Sequence, residues 1–300
     1  MKDILKITMS LTGVCIAAAL ILGAVYANTE HLRKLSEVRE RQETIQSLLG
    51  YSHGKEAPSD MRVYPVHRYV INDRKLGTLL GYVLPVKDNK VVISEIDLSG
   101  KPVRVLPLKG DPAKLNDEAT RDPVVMASLP EGTRAMYAET FYVADLGSDR
   151  LGYVLPGITQ GFKTFVKLMV SLDPKFTVTG VAIIESEEDP GLGAEIEQNY
   201  FRNQFVGKTV EILKTLKVIK KPLPADYLDV LEPVKSAKLT KEQVAKIKAE
   251  HLKDNIYSLT GATISSVAVT RGVKDTVRKF VYRFDILNRA IEKNSIQVAF

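Results

Sequence analysis

A single cysteine, Cys15, is all the thiol chemistry in this sequence. It excludes an intrachain disulfide, an iron–sulfur cluster held by this chain alone, and a zinc site built from several cysteines. Histidine is sparse too: His31, His53, His67 and His251 stand apart, without the spacing that metal ligands use. Charge of one sign is also in short supply. The formal net charge is +6 over 300 residues, and the basic residues are mixed with acidic ones along most of the chain. No block of Lys and Arg interleaved with aromatics occurs, so nothing supports binding to nucleic acid. Any redox chemistry here has to reside in an organic cofactor or in a partner.

What is present reads as a globular chain behind an apolar segment. Hydrophobic residues make up 45% and charged residues 26%, a balance that supports a packed core. From Ile7 to Ala27 no charged side chain occurs. At about 1.5 Å per residue that run spans roughly 30 Å, the thickness of a bilayer core. It exceeds the apolar core of a cleaved signal peptide, although Val25-Tyr26-Ala27 before Asn28 would suit a signal peptidase. The expectation is an uncleaved anchor over residues 1–28, with the rest of the chain outside the cytoplasm. Residues 29–60 follow as a charged helical stalk or linker, broken after Gly50 by glycine, proline and polar residues.

Strand-like runs come next, at 62–71, 78–84, 90–96, 103–106 and 134–143, with a polar connection at 109–123. The pentapeptide GYVLP occurs at Gly81–Pro85 and again at Gly152–Pro156. Two related halves would explain the echo, and so would a shared local solution for a strand ending at proline. Further runs at 164–172 and 177–184 lead into EEDPGLG, Glu187–Gly193, where Pro190-Gly191 suits the centre of a tight turn. A short helix is expected over 195–205, then a lysine-rich connection. Thr240 and Gln243 have capping-box spacing. A long helix follows, with Val273, Val277, Phe280, Val281, Phe284, Leu287 and Ile291 on one face.

Just ahead of that helix lies Leu259–Ser266, LTGATISS. Gly261 and Ala262 leave room for close approach, Thr260 and Thr263 supply hydroxyls, and Ser265 or Ser266 can cap the first turn. Such a stretch serves as a plain cap or as a seat for an anion, since first-turn amides and the helix dipole both favour negative charge. A phosphate could be held by hydrogen bonds or by an ester to threonine, and the sequence permits either.

Four features in order, the apolar N-terminal helix, EDPGLG at Glu188–Gly193, FRNQFVGK at Phe201–Lys208 and TGATISS at Thr260–Ser266, resemble the G-type subunit of the bacterial Rnf electron-transport complexes. That protein sits within the wider FMN-binding-domain family, which includes the C-type subunit of the sodium-pumping NADH:quinone reductase. The resemblance implies FMN joined by a phosphoester to the last residue of the T-G-A-T motif, here Thr263. Secondary contacts would come from Thr260, Gly261, Ala262, Ser265, Glu188, Pro190, Gly191, Leu192 and Gly193. Asp189 departs from the family's usual ETPGLG and adds negative charge beside an anionic cofactor. Gly157, Thr159 and Phe162 are expected only as secondary contact territory.

The implied fold is α+β: one transmembrane helix, then an extracytoplasmic mixed-sheet FMN-binding domain. Residues 61–150 would form an N-terminal α+β region, a candidate for a related half; 151–293 the FMN-binding domain; and 294–300 a tail. The implied role is electron transfer within a membrane complex that couples ferredoxin and NAD chemistry to ion translocation, with no independent turnover and no catalytic or metal-ligating residue of its own. Partners would be the other membrane and redox subunits and, during maturation, an FMN transferase. A membrane-tethered binding or assembly module without redox function is the rival reading.

Overall fold

The computed structural model describes residues 2–52 and 54–300; Met1, the first residue of the expected anchor, and His53, one of the scattered histidines, lie outside the described residues. The chain divides into two compact units, 1–47 and 48–300. The first is a single helix, α1 (Lys2–Leu48). Its Asp3–Tyr26 segment, with mean hydropathy 2.1, is the one stretch among the described residues long and apolar enough to cross a membrane. With no proline before residue 58, nothing interrupts the helix as it passes into the charged region. There, ion pairs at helical spacing line the exposed surface, Arg33 with Glu37 and Arg39 with Glu43.

The second unit is organised by β1 (Met61–Asp73), β2 (Gly77–Val86), β3 (Lys90–Asp97), β4 (Pro102–Leu108), β5 (Arg134–Leu146), β6 (Asp149–Gln160), β7 (Phe165–Leu172) and β8 (Val178–Glu185). Their order in one sheet is β4-β3-β2-β1-β5-β6-β7-β8. Two four-stranded meanders are therefore joined along β1 and β5, which pair from Met61/Leu146 to Asn72/Arg134. Tight hairpins connect successive strands within each meander, and a hairpin can only produce antiparallel neighbours; β1 and β5, which no hairpin joins, also run antiparallel. The large sheet is thus antiparallel throughout and not mixed. Parallel pairing is confined to a separate two-residue ladder, β9 (Val218–Ile219) with β10 (Ile256–Tyr257).

The two GYVLP copies lie on β2 and β6, the second strand of each meander. In both, the tyrosine and leucine (Tyr82 and Leu84, Tyr153 and Leu155) are buried in the same apolar cluster. The last helix, α8 (Thr263–Lys293), covers that face with Val273, Val277, Phe280, Phe284 and Leu287, as its spacing predicts. Phe280 stands 5.2 Å from Phe141 and Phe284 4.9 Å from Tyr153, ring centre to ring centre. Truncating a ring in such a cluster typically costs about 3–5 kcal/mol.

The opposite face of the first meander is covered by α2 (Glu118–Ser128), a helix that falls largely in the segment expected to be a polar connection. The Asp117 side chain accepts from Thr120 N at 3.0 Å and so starts the helix. Val125 and the side chain of Arg121 then turn inward although Pro123 and the polar composition argue against a core element. Past β8 the helices before α8 are short, with β9 and β10 among them: α3 (Asn199–Arg202), flanked by 3-10 turns where the sequence predicts one helix; α4 (Val210–Thr215); α5 (Ala225–Leu231); α6 (Pro233–Ser236); and α7 (Lys241–His251). The capping box at Thr240 and Gln243 forms as expected.

Candidate functional site

The sequence from Glu188 to Gly193 folds as a turn whose geometry follows from Pro190 and Gly191. Leu192 N and Ala194 N both donate to Asp189 O, at 3.1 and 3.0 Å, and Gly191 takes φ +72, a value that favours glycine. Gly191 and Leu192 are exposed, while Glu188 and Gly193 are buried on either side of them. The turn therefore rests on its two ends and presents its tip to solvent.

The buried end at Glu188 ties three segments together. One carboxylate oxygen accepts from Phe162 N at 2.7 Å and Lys163 N at 3.3 Å, in the β6–β7 hairpin. The other accepts from Ser265 Oγ, in the first turn of α8, at 2.5 Å. The fit leaves no room for side chains around the carboxylate. A Cβ at Gly161 would stand 2.4 Å from one carboxylate oxygen and a Cβ at Gly193 2.5 Å from the other. Nothing in the sequence announces a contact between residues 77 positions apart. The unexplained glycines on both sides of Glu188 are the only local trace of it.

At the helix itself the expected cap is absent. Ser265 is committed to Glu188, and Ser266 Oγ accepts from Leu259 N and donates to Ala262 O. The N-cap residue, Ala262, has no polar side chain to offer, so the first amides of α8 meet no side-chain cap. Both serines are buried and brace the loop before the helix instead of closing its end.

Thr263 is the first residue of α8 and is half-buried, and its hydroxyl makes no hydrogen bond among the described residues. Thr260 and Gly261 are exposed, and Ala262 is buried. Gly261 has φ +76, and a Cβ there would lie 2.9 Å from Leu192 Cδ2. The turn and the T-G-A-T loop are thus in contact through Leu192. Thr159 and Gly157 pack under α8, Thr159 Oγ1 donating to Ala268 O at 3.0 Å, whereas Phe162 is 59% exposed at the surface.

The charge of Asp189 is compensated by Lys163, whose Nζ lies 2.5 Å from its carboxylate, and this pairing holds the lysine pKa above its ordinary value. The negative charge that Asp189 adds to the turn therefore comes with a counterion on the neighbouring hairpin.

FRNQFVGK carries a task that its sequence does not announce. Gln204 accepts from Tyr257 N at 2.8 Å and donates to Tyr257 O at 3.3 Å. Lys208, 1% exposed, donates to Leu252 O and Asp254 O, both at 2.8 Å. Burial pushes its pKa down to about 8. Together these two side chains fix the backbone that leads into the T-G-A-T loop. A lysine in a basic chain reads as a solvated residue, so only its place in FRNQFVGK points to it.

Residues 161–278 match the FMN-binding domain family, a stretch that contains Glu188 to Gly193, FRNQFVGK and the T-G-A-T loop with Thr263, while Gly157 and Thr159 lie before it. The chain is similar to G-type subunits of ferredoxin:NAD(+) oxidoreductase complexes and to a C-type subunit of a sodium-translocating NADH-quinone reductase. It is 32% identical over 139 residues to the G-type subunit of the proton-translocating ferredoxin:NAD(+) oxidoreductase complex of Clostridium ljungdahlii, covering 46% of this chain and 58% of that protein. With the Na(+)-translocating counterpart of Acetobacterium woodii it shares 29% over 140 residues, 46% of this chain and 54% of that protein. The C-type subunit of the Na(+)-translocating NADH-quinone reductase of Yersinia pestis is 28% identical over 149 residues, 46% of this chain and 56% of that one. The chain thus spans little more than half the length of the curated relatives it matches.

Proposed function

We propose that this chain is the flavin-bearing electron-transfer subunit of an Rnf-type membrane complex, with FMN attached by a phosphoester to Thr263. The observation that carries the reading is the free Thr263 hydroxyl on the uncapped first turn of α8, beside the turn that Glu188 clasps to it. The residues suit the group. An esterified phosphate at Thr263 would meet amides that have no side-chain acceptor, at the positive end of a 31-residue helix. Leu192 and Gly261, touching and exposed, offer an apolar and low-profile surface next to it.

FMN supplies one- and two-electron redox chemistry. The protein's own share is positioning. Glu188 and Ser265 hold the turn against the helix, Gln204 and Lys208 hold the approach to Thr263, and Lys163 offsets Asp189. None of these groups has to move a proton or form a bond during electron transfer, which fits a relay without its own substrate turnover. Attachment through the phosphate would leave the redox-active ring unmodified and would retain the cofactor outside the cytoplasm. In this reading Asp3–Tyr26 is the single-pass anchor and the second unit is extracytoplasmic. The remaining redox and membrane subunits supply the iron–sulfur and NAD chemistry, since one cysteine denies a cluster to this chain.

The test is Thr263→Val made in cells that contain the FMN transferase. Wild-type protein should carry an added flavin mass on the denatured peptide that contains Thr263, and the variant should lack it while keeping its unfolding transition. A flavin mass remaining at that peptide in the variant rejects the attachment residue. Wild-type protein without flavin, despite transferase and partners, rejects the redox reading.

A further inference from the structure

The first meander contains a cavity that the flavin reading does not use. β1 and β2 pair from Asp73/Gly77 up to His67/Val83 and then part. The C-terminal tail enters the fork, with Lys87 N donating to Gln297 O and Ala299 N to Pro85 O, both at 2.9 Å. What remains is a space of about 430 Å³, bordered by Arg62, His67, Lys87 and Lys90 and walled by apolar residues that include Val83 and Leu115. That volume lies in the range that small-molecule sites occupy.

His67 gives the cavity a defined chemical character. The side chain is 5% exposed, and its Nδ1 lies 2.7 Å from Thr140 Oγ1 and 3.3 Å from Nη1 of the buried Arg121. A guanidinium can only donate, so Nδ1 accepts and the ring proton sits on Nε2. Burial, and then the neighbouring Arg121 charge, push the His67 pKa down to about 3, which keeps the ring neutral. Nε2–H is therefore a donor held at fixed tautomer, and among the described residues it has no partner. Arg62, Lys87 and Lys90 make no ion pair among the described residues either; the one carboxylate on the rim is Asp88. Three unpaired cations, a fixed neutral donor and apolar walls form a complementary set for one kind of molecule.

We propose that the fork between β1 and β2 binds a small organic anion, a carboxylate or phosphate monoester on a compact apolar body. The anionic oxygens meet Arg62, Lys90 and His67 Nε2–H, and the body lies against Val83 and Leu115. This site belongs to the part of the chain outside the FMN-binding-domain match, so it stands or falls apart from the flavin reading.

Calorimetric titration of the full-length protein with benzoate, phenyl phosphate, phenol and inorganic phosphate tests it. At least one of the two aromatic anions should bind with one-to-one stoichiometry. Phenol, which lacks the charge, and inorganic phosphate, which lacks the body, should each bind about tenfold or more weakly by comparison. Which aromatic anion binds better decides between carboxylate and phosphate. Arg62→Ala with Lys90→Ala changes two exposed side chains, leaves the fold intact and should weaken binding by about a hundredfold. Absence of saturable binding up to about 10 mM, equal affinity for phenol, or unchanged affinity in the double variant overturns the proposal.

Discussion

The two meanders of the sheet have the same hairpin plan and carry the same pentapeptide on the same strand, yet they are finished differently. The first is covered by α2, an 11-residue helix, and packs Tyr69, Ile71, Val83 and Val125 into a small separate core. The second lies under α8, 31 residues long, whose aromatic face fills the larger cluster and whose first turn is held by Glu188. The difference teaches that the shared strands supply a platform, whereas the site comes from what crosses over it. Among the described residues, a free hydroxyl, an uncapped helix end and a buried carboxylate joining three segments occur together only on the second half.

Breaking the clasp should have the largest effect. Glu188→Leu leaves the buried Ser265 hydroxyl and the part-buried Phe162 amide without an acceptor, which should cost about 3 kcal/mol in denaturant unfolding and, in the proposed reading, abolish flavin attachment. Glu188→Gln keeps one acceptor and should lose about half as much. Equal stability of the leucine variant and wild type would remove the clasp from any account of the second half.

Acid and base separate the halves by the groups they bury. In the first, His67 resists protonation until pH about 3, while the unfolded chain accepts a proton near 6.5. Stability therefore falls as pH drops through that window, by about 2 kcal/mol at pH 5. In the second, Lys208 titrates near 8 when folded and 10.5 when unfolded. The unfolded chain binds the extra proton between those values, so stability rises with pH across them, by about 3 kcal/mol in all. Unfolding curves for wild type, His67→Gln and Lys208→Met should show each slope vanish in its own variant alone. Loss of both slopes in either variant would mean that the halves are not separable in this way.

A smaller change sharpens the comparison at the turn. Gly193→Ala forces a methyl against the Glu188 carboxylate and should cost about 2 kcal/mol, because neither the turn nor the clasp has room to yield. Leu192→Asp, by contrast, alters a side chain already 47% exposed and should change stability by less than about 0.5 kcal/mol. In the proposed reading its effect is expected in the absorbance and redox potential of the flavin. Unchanged flavin properties in a folded, flavinylated Leu192→Asp protein would make the turn a structural element only.

Much of this is legible in the chain because it depends on neighbours in sequence. Alternation marks most of β1 to β8 to within a few residues, and the stripe from Val273 to Leu287 marks the covering face of α8. The Pro190-Gly191 turn and the Thr240 capping box are equally local. What escapes depends on distance. Arg121 and Lys208 look like surface charges until the elements that bury them are placed, and α2 hides behind Pro123 and a polar composition. Ser265 reads as a cap because its natural partner in sequence is its own helix; the competing acceptor, Glu188, comes from another part of the chain.

The seam between β1 and β5 has a consequence for how the molecule is made. Every other pairing in the large sheet joins consecutive strands, but Met61 meets Leu146 from a distant part of the chain. Ring closure over that separation is slow compared with zipping a hairpin. During synthesis from the N-terminus, β1 to β4 emerge first, leaving one side of β1 as an open row of amides and carbonyls until β5 arrives. That interval, before the second meander exists at all, is when the nascent chain is most exposed to mispairing with another copy of itself.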